Sequence, residues 1–379
     1  MSKRKAQQKD TIAISRPDEE ANVPDLPVID DTEADDTVAP VQYEITSFGA
    51  DYDAEGLVKR LQRDDIFIPP FQRDFVWTQK EASRFVESLL LGLPVPGVFL
   101  ARESNSKRLL VIDGQQRLKT LRFFFEEVFR PEPESDTKQV FKLAGVQKQF
   151  EGRTYSSLEE KDRITLNDAI IHATIVKQDS PEGEQSSIYH IFERLNASGR
   201  KLSPQQIRVA IYHGDLLDLV RQLNENSSWR AIIETRSRTL KDQELILRFL
   251  ALYFDRGNYK SPMNEFLNDF ADKAKRTGRP SIDSCRATFE KTIQLISRAL
   301  GVRAFRPERA INAAAFDSVM VGMATRLERG SAPSEAQVKG QYDRLLGQER
   351  YMQLISRATA NEKNVKERMK LAVEEFGRD

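Results

Sequence analysis

Apolar and polar positions along this chain change period near residue 180. Up to that point short apolar runs with strand-like alternation trade places with helical spacings; beyond it the spacing is helical throughout. VQYEITS (41–47) alternates Val41, Tyr43 and Ile45 as a half-buried strand does. A short helix near 53–63 leads into IFIPPFQRDFVW (66–77), where Pro69-Pro70 halts any helix and forces extended or turning backbone. QKEASRFVESLLLGL (79–93) carries Phe85 and Leu89 at helical spacing. GVFLAR (97–102) and RLLVI (108–112) read as two short strands around the polar turn Glu103-Ser104-Asn105-Ser106. The spacing predicts a helix over 115–129 with Leu118, Leu121, Phe125 and Val128 on one face, and AIIHATIVKQ (169–178) as a further strand.

In the second half, IYHIFERL (188–195) reads as a helix that breaks at Asn196-Ala197-Ser198-Gly199. A new helix starts at Ser203-Pro204-Gln205-Gln206, with Ser as N-cap, Pro in the first helical position and Gln reaching back. ELILRFLALYF (244–254) is apolar nearly all round, the mark of a buried central helix. Helices near 262–275, 282–299, 312–328, 335–347 and 361–376 follow. The expected class is α+β: a mixed α/β domain over 41–215, packed against an all-helical domain over 216–379.

Composition adds the leader. From Pro17 to Thr37 the chain has nine carboxylates, three prolines and no Lys or Arg, too little apolar surface to offset chain entropy, so residues 1–40 are expected to be a disordered acidic leader. Residues 1–58 hold 5 Lys/Arg against 14 Asp/Glu, so the formally neutral chain has a mildly basic body, with 53 against 44, which suits a polyanionic partner without demanding one. No apolar run approaches the roughly 20 residues needed to cross a bilayer, and MSKRKAQQKDTIAIS lacks the apolar centre of a secretory signal, so a cytoplasmic, membrane-free protein is expected. The single cysteine, Cys285, excludes an intramolecular disulfide, and His172, His190 and His213 alone give poor support for a His-rich metal centre.

The candidate chemistry sits in LLVIDGQQRLKTL (109–121), where an apolar strand runs into Asp113-Gly114-Gln115-Gln116-Arg117 before the helical spacing begins. Gly114 allows a sharp bend and close approach of a ligand. The helix that follows turns the positive end of its dipole toward that bend, and a guanidinium one turn in, Arg117, curls back to the same anion. Asp113 is placed to hold a divalent cation such as Mg²⁺ or to orient water, and Gln115 and Gln116 to bond a phosphate, a sugar or an attacking water. The same spacing also fits a purely local arrangement, Asp113 as N-cap with Gln116 closing a capping box while Arg117 pairs with a surface carboxylate. In FQRDFVW, Gln72 and Arg73 stand between aromatics, Arg73 either stacking on Phe75 or Trp77 or supporting the phosphate site. In FERLNASGRKLS (192–203), Asn196 and Gly199 suit a left-handed helix end; the alternative has Asn196 contacting a base or ribose and Arg200 and Lys201 facing phosphates.

FQRDFVW, VIDGQQRLKTL and FERLNASGRKLS, in that order, resemble the N-terminal domain of GmrSD-type restriction enzymes, which is related to the ParB/sulfiredoxin fold. The resemblance extends through LILRFLALYFD and ISRATANEKNVKERMKLAVEEF, about residues 41–379. It implies nucleotide binding and hydrolysis in bacterial systems that restrict foreign or modified DNA. Carried onto this chain, it places Gly114 and Arg117 on nucleotide phosphates and Asp113, Gln115 and Gln116 at the reacting phosphate, with Gln72, Arg73, Asn196 and Gly199 as further nucleotide contacts. The full restriction enzymes also carry a His-Asn-His nuclease module; residues 214–379 contain no histidine, so that chemistry is not expected there.

The expected protein is therefore an NTP-binding, NTP-hydrolysing sensor subunit of a DNA-restriction or phage-defence system. Mg²⁺ would be its counter-ion, held at Asp113, and DNA and a separate nuclease or defence subunit its partners. Two alternatives stay open: a non-catalytic DNA-binding regulator and a stand-alone DNA-nicking enzyme. Lys273, Lys275, Arg276 and Arg279, and Lys363, Lys366 and Lys370, form two basic stretches that fit either DNA phosphates or solvated helix faces.

Overall fold

The structure, a computed structural model, describes residues 28–29, 44–68, 75–103, 108–129, 139–180, 186–195, 202–330 and 332–378. Its first half is built on a mixed five-stranded sheet. The strands are β2 (Glu44–Asp53), β3 (Ile66–Phe67), β4 (Val98–Arg102), β5 (Leu109–Asp113) and β8 (Ile170–Ser180), in the order β2-β8-β4-β5-β3. β4 and β5 form an antiparallel hairpin, β8 runs parallel to β4 and antiparallel to β2, and β3 runs parallel to β5. The near-continuous apolar run Leu109-Leu110-Val111-Ile112 follows from this placement, because an inner strand covered on both faces needs apolar residues at every position. Leu109 and Val111 point into one core with helices α1 (Ala54–Gln62), α2 (Gln79–Leu90), α3 (Gln115–Phe125) and α4 (Glu160–Asn167). Leu110 and Ile112 point into a second core, shared with α5 (Ser186–Leu195), α6 (Pro204–Ile211) and the helical half.

α3 stops at Phe125, shorter than the expected 115–129, because Val128–Phe129 pair as β6 with β7 (Gln139–Val140), and Phe129 fills an aromatic cluster with Phe75 and Phe141. α6 begins with the expected capping box: the Ser203 hydroxyl accepts from Gln206 N, the Gln206 side chain accepts from Ser203 N, and Pro204 follows the cap.

The second half is helical, through α7 (Asp215–Leu223), α8 (Ser227–Ile232), α9 (Lys241–Asp255), α10 (Met263–Thr277), α11 (Ile282–Leu300), α12 (Ala313–Arg329), α13 (Glu335–Leu346), α14 (Glu349–Ser356) and α15 (Glu362–Phe376). α9 is buried all round over Glu244–Leu252, as its sequence requires, and the cation within that stretch, Arg248, donates to Asp317 of α12 at 2.6 and 3.1 Å, with both side chains fully buried. Arg368 of α15 reaches the same carboxylate at 3.3 Å and donates to Thr359 O. α12 and α15 approach closely at Gly322, where a β-carbon would stand 2.8 Å from the Phe376 ring and 3.0 Å from Ala372 backbone. Within the acidic leader, Val28–Ile29 form β1, paired in parallel with β9 (Ile311–Asn312), and Val28 packs on the helical core. No helix among the described residues is long and apolar enough to cross a membrane.

Candidate functional site

The corner between β5 and α3 is shaped by one glycine. Gly114 has φ +97°, in the left-handed region, and is the N-cap residue of α3, where no side chain caps the helix. Of the local alternative, the Asp113 N-cap and Gln116 capping box do not form, while the pairing of Arg117 with an exposed carboxylate does, the partner being Asp113 itself. A β-carbon at Gly114 would lie 2.5 Å from Val98 Cγ1 and 3.3 Å from Arg117 Nη2, so only glycine lets the bend pass this close to β4.

Arg117 curls back over the bend as its position one turn into α3 requires. Its Nη2 donates to Asp113 Oδ2 and to the Gly97 carbonyl, both at 2.9 Å. The arginine side chain is mostly buried while the aspartate is 56% exposed, so the acid faces solvent and the base lines the inner wall. Arg117 Nε is buried and has no hydrogen-bond partner among the described residues. The Gly97 carbonyl, just before β4, is a contact that sequence reasoning missed; a backbone acceptor leaves no side-chain signature beyond the glycine itself.

Gln116 ties a second stretch to the corner. Its Oε1 accepts from Val76 N at 3.1 Å and Trp77 N at 3.4 Å, clamping the end of FQRDFVW to the start of α3. Phe75 packs edge-on against Phe123 of α3 and against Phe129, which fixes the same stretch from the other side. Phe75–Trp77 and the Asp113–Arg117 corner are therefore one unit in space. Gln72 and Arg73 lie outside the described residues, as do Asn196, Gly199, Arg200 and Lys201.

Strand polarity brings further groups to the same end of the sheet. β5 ends there at Asp113, while β4 and β8 begin there at Val98 and Ile170. His172 Nδ1 lies 2.8 Å from Asp51 Oδ1 across the β2–β8 pair. Its side chain points to the opposite face from Ile171 and Ala173, away from α3. Among the described residues no group of three or more His, Cys, Asp or Glu is arranged to hold a metal. A single exposed carboxylate, Asp113, stands at the bend.

A second polar cluster joins the two halves. Glu103, at the end of β4, lies 3.4 Å from His213 Nε2, 3.7 Å from Lys275 Nζ of α10 and 3.7 Å from Arg108 Nε. Burial pushes the His213 imidazole below its ordinary value, aided by the Lys275 charge, and burial likewise lowers the Lys275 ammonium. Lys275 also donates to Ile211 O at 3.3 Å, Lys273 pairs with Asp255, and Arg276 with Asp272. Lys273, Lys275 and Arg276 are thus each paired with a carboxylate of the fold while remaining partly exposed. Lys363, Lys366 and Lys370 are exposed and line an open cleft of about 710 Å³ with Glu362 and Glu367.

Residues 55–213, a little over two fifths of the chain, match the family described as GmrSD restriction endonuclease, N-terminal domain. A stretch of 99 residues is 31% identical to an uncharacterized protein of Methanocaldococcus jannaschii, covering 20% of this chain and 16% of that protein's length.

Proposed function

We propose that this chain is a nucleoside-triphosphate-binding and -hydrolysing subunit of a DNA-restriction or phage-defence system. The observation that carries the reading is the Arg117 guanidinium held at a left-handed, uncapped glycine bend, with one amino nitrogen on Asp113 and its Nε unsatisfied. The amino end of α3 adds its dipole, so a phosphate entering at Gly114 exchanges a single carboxylate for a helix terminus and a guanidinium. Asp113, facing solvent, would hold Mg²⁺ carried by the nucleotide and orient the attacking water. Gln115 stands beside it on the first turn, and Gln116 keeps Val76 and Trp77 against the bend. Gln72, Arg73, Asn196 and Gly199 remain proposed contacts of the same nucleotide. Turnover acts through the helical half on DNA or on a separate nuclease.

Purified protein incubated with ATP, GTP and CTP plus Mg²⁺ tests the reading. Phosphate release that disappears in Asp113→Ala, with the fold intact by circular dichroism, supports hydrolysis. Binding without release supports a non-catalytic regulator, and relaxation of supercoiled plasmid by the chain alone supports a nicking enzyme.

A further inference from the structure

β2 stands at one side of the five-stranded sheet, so β8 pairs with only one of its two edges. Along the other edge the outward N–H and C=O groups of a ten-residue strand find no partner strand among the described residues. Long exposed edges are commonly guarded by Lys or Pro, and Glu44–Asp53 contains no Lys, Arg or Pro. Two large apolar side chains of β2 are instead left open, Ile45 at 40% and Phe48 at 41% exposure. Being three residues apart they point to opposite faces, so no single helix can cover both. A further strand laid beside β2 reaches both.

Charge restricts what that strand can be. β2 carries Glu44, Asp51 and Asp53 and no cation. A second copy of β2 on this edge would set three carboxylates from each strand along one seam, with no cation of either strand to offset them. An occupant with an apolar centre and cationic ends fits instead. The chain holds such a segment outside the described residues. KDTIAISRP (9–17) alternates Ile12 and Ile14 with Thr11, Ala13 and Ser15, between Lys9 and Arg16. Lys9 and Arg16 are seven residues apart, and so are Glu44 and Asp51.

We propose that residues 11–15 add a sixth strand to the sheet, antiparallel to β2 along its outer edge. Matching the charges in that direction sets Arg16 opposite Glu44, Lys9 opposite Asp51 and Ile12 opposite Phe48. Ile12 and Ile14 then extend the face on which Ala50 and Tyr52 pack against the core shared with α1. Pro17, which cannot donate to a ladder, ends the pairing. Parallel pairing with the same charges matched sets Ala13, not Ile12, opposite Phe48, and leaves that ring uncovered. The path of the chain agrees with the antiparallel direction. Val28–Ile29 are fixed against β9, and residues 30–43 return the chain from there to Glu44. Arg16 stands at that same end of β2, and residues 17–27 reach back to Val28 over about 40 Å at full extension. The pairing is independent of the nucleotide reading of the bend, and it closes an edge open to association with other chains.

Amide hydrogen exchange of the purified full chain, read residue by residue over Ile45–Tyr52, tests the pairing. Alternate amides, those pointing away from β8, are expected to exchange at least tenfold more slowly in the wild type than in the double variant Ile12→Lys, Ile14→Lys. Amides of β4 and β5 are expected to be unchanged, which shows that the variant is folded. Arg16→Glu is expected to speed exchange at the Glu44 end at least twofold, and Glu44→Arg in that background to slow it again. Equal exchange in the wild type and the double variant overturns the proposal. Protection that rises with protein concentration overturns it too, since a second copy then occupies the edge. A charge-swapped pair that stays fast overturns the antiparallel register.

Discussion

The Arg117 guanidinium sits 2.9 Å from the carboxylate of Asp113, four residues back across the bend. One motif therefore contains both a cation suited to a phosphate and the anion that competes for it. Asp113→Asn removes the competitor and a negative charge beside the incoming phosphates. The variant is expected to bind a triphosphate without Mg²⁺ at least threefold more tightly than the wild type, while Mg²⁺-dependent phosphate release falls at least a hundredfold. Fluorescent-nucleotide titration and a phosphate-release assay read the two effects separately; weaker binding in Asp113→Asn contradicts the assignment.

Gly114→Ala places a methyl group in the left-handed region and against Val98 Cγ1. The backbone alone costs about 1–2 kcal/mol, and relief of the contact moves the bend away from β4. Urea unfolding is expected to show that loss or more, accompanied by weakened nucleotide binding. An unchanged midpoint would mean that the bend relaxes freely.

Gln116→Ala removes the acceptor shared by Val76 and Trp77. Hydrogen exchange at those two amides is expected to accelerate at least tenfold, with global stability reduced by about 1 kcal/mol. Unaltered exchange at both positions would show that Phe75 packing alone holds the stretch.

The helical half depends on a buried charge cluster. Asp317 accepts from Arg248 and Arg368, all three side chains being fully buried. Asp317→Ala leaves two guanidinium groups without their counter-ion, and breaking a buried pair in this way costs about 3–5 kcal/mol. Chemical denaturation is the check, and a loss under 1 kcal/mol contradicts the cluster's role.

What the sequence disclosed and withheld follows from distance along the chain. The Asp113–Arg117 corner and the Ser203–Gln206 cap were legible because their partners lie within four residues, where helix geometry dictates who meets whom. α9 was legible because burial on every side leaves an apolar record. By contrast, Gln116 meets Val76 40 residues away, Arg117 meets a carbonyl 20 residues away, and His172 meets Asp51 across 121 residues. Such contacts are set by strand order, which no local period encodes. Composition also conceals buried cations: Arg208, Arg248 and Arg368 read as surface residues until Gln205, Asn268 and Asp317 are brought to them.

The junction at Glu103 gives the fold a pH dependence. The His213 imidazole titrates below its ordinary 6.5 because it is buried, next to Lys275. The unfolded chain therefore takes up the proton first as pH falls, and stability is present above about pH 6.5 and declines on acidification through the lowered folded value. His213→Gln is expected to flatten the stability profile between pH 7 and 5. A profile as steep as the wild type's would place the dependence elsewhere.

The account rests on where a triphosphate lodges. A crystal structure of the full chain with a non-hydrolysable triphosphate analogue and Mg²⁺ decides it. The expected result has the phosphates over Gly114, Arg117 turned from Asp113 onto a phosphate oxygen, and Asp113 on the metal. Density lodged elsewhere, with Arg117 still paired to Asp113 and Gly97, would contradict it.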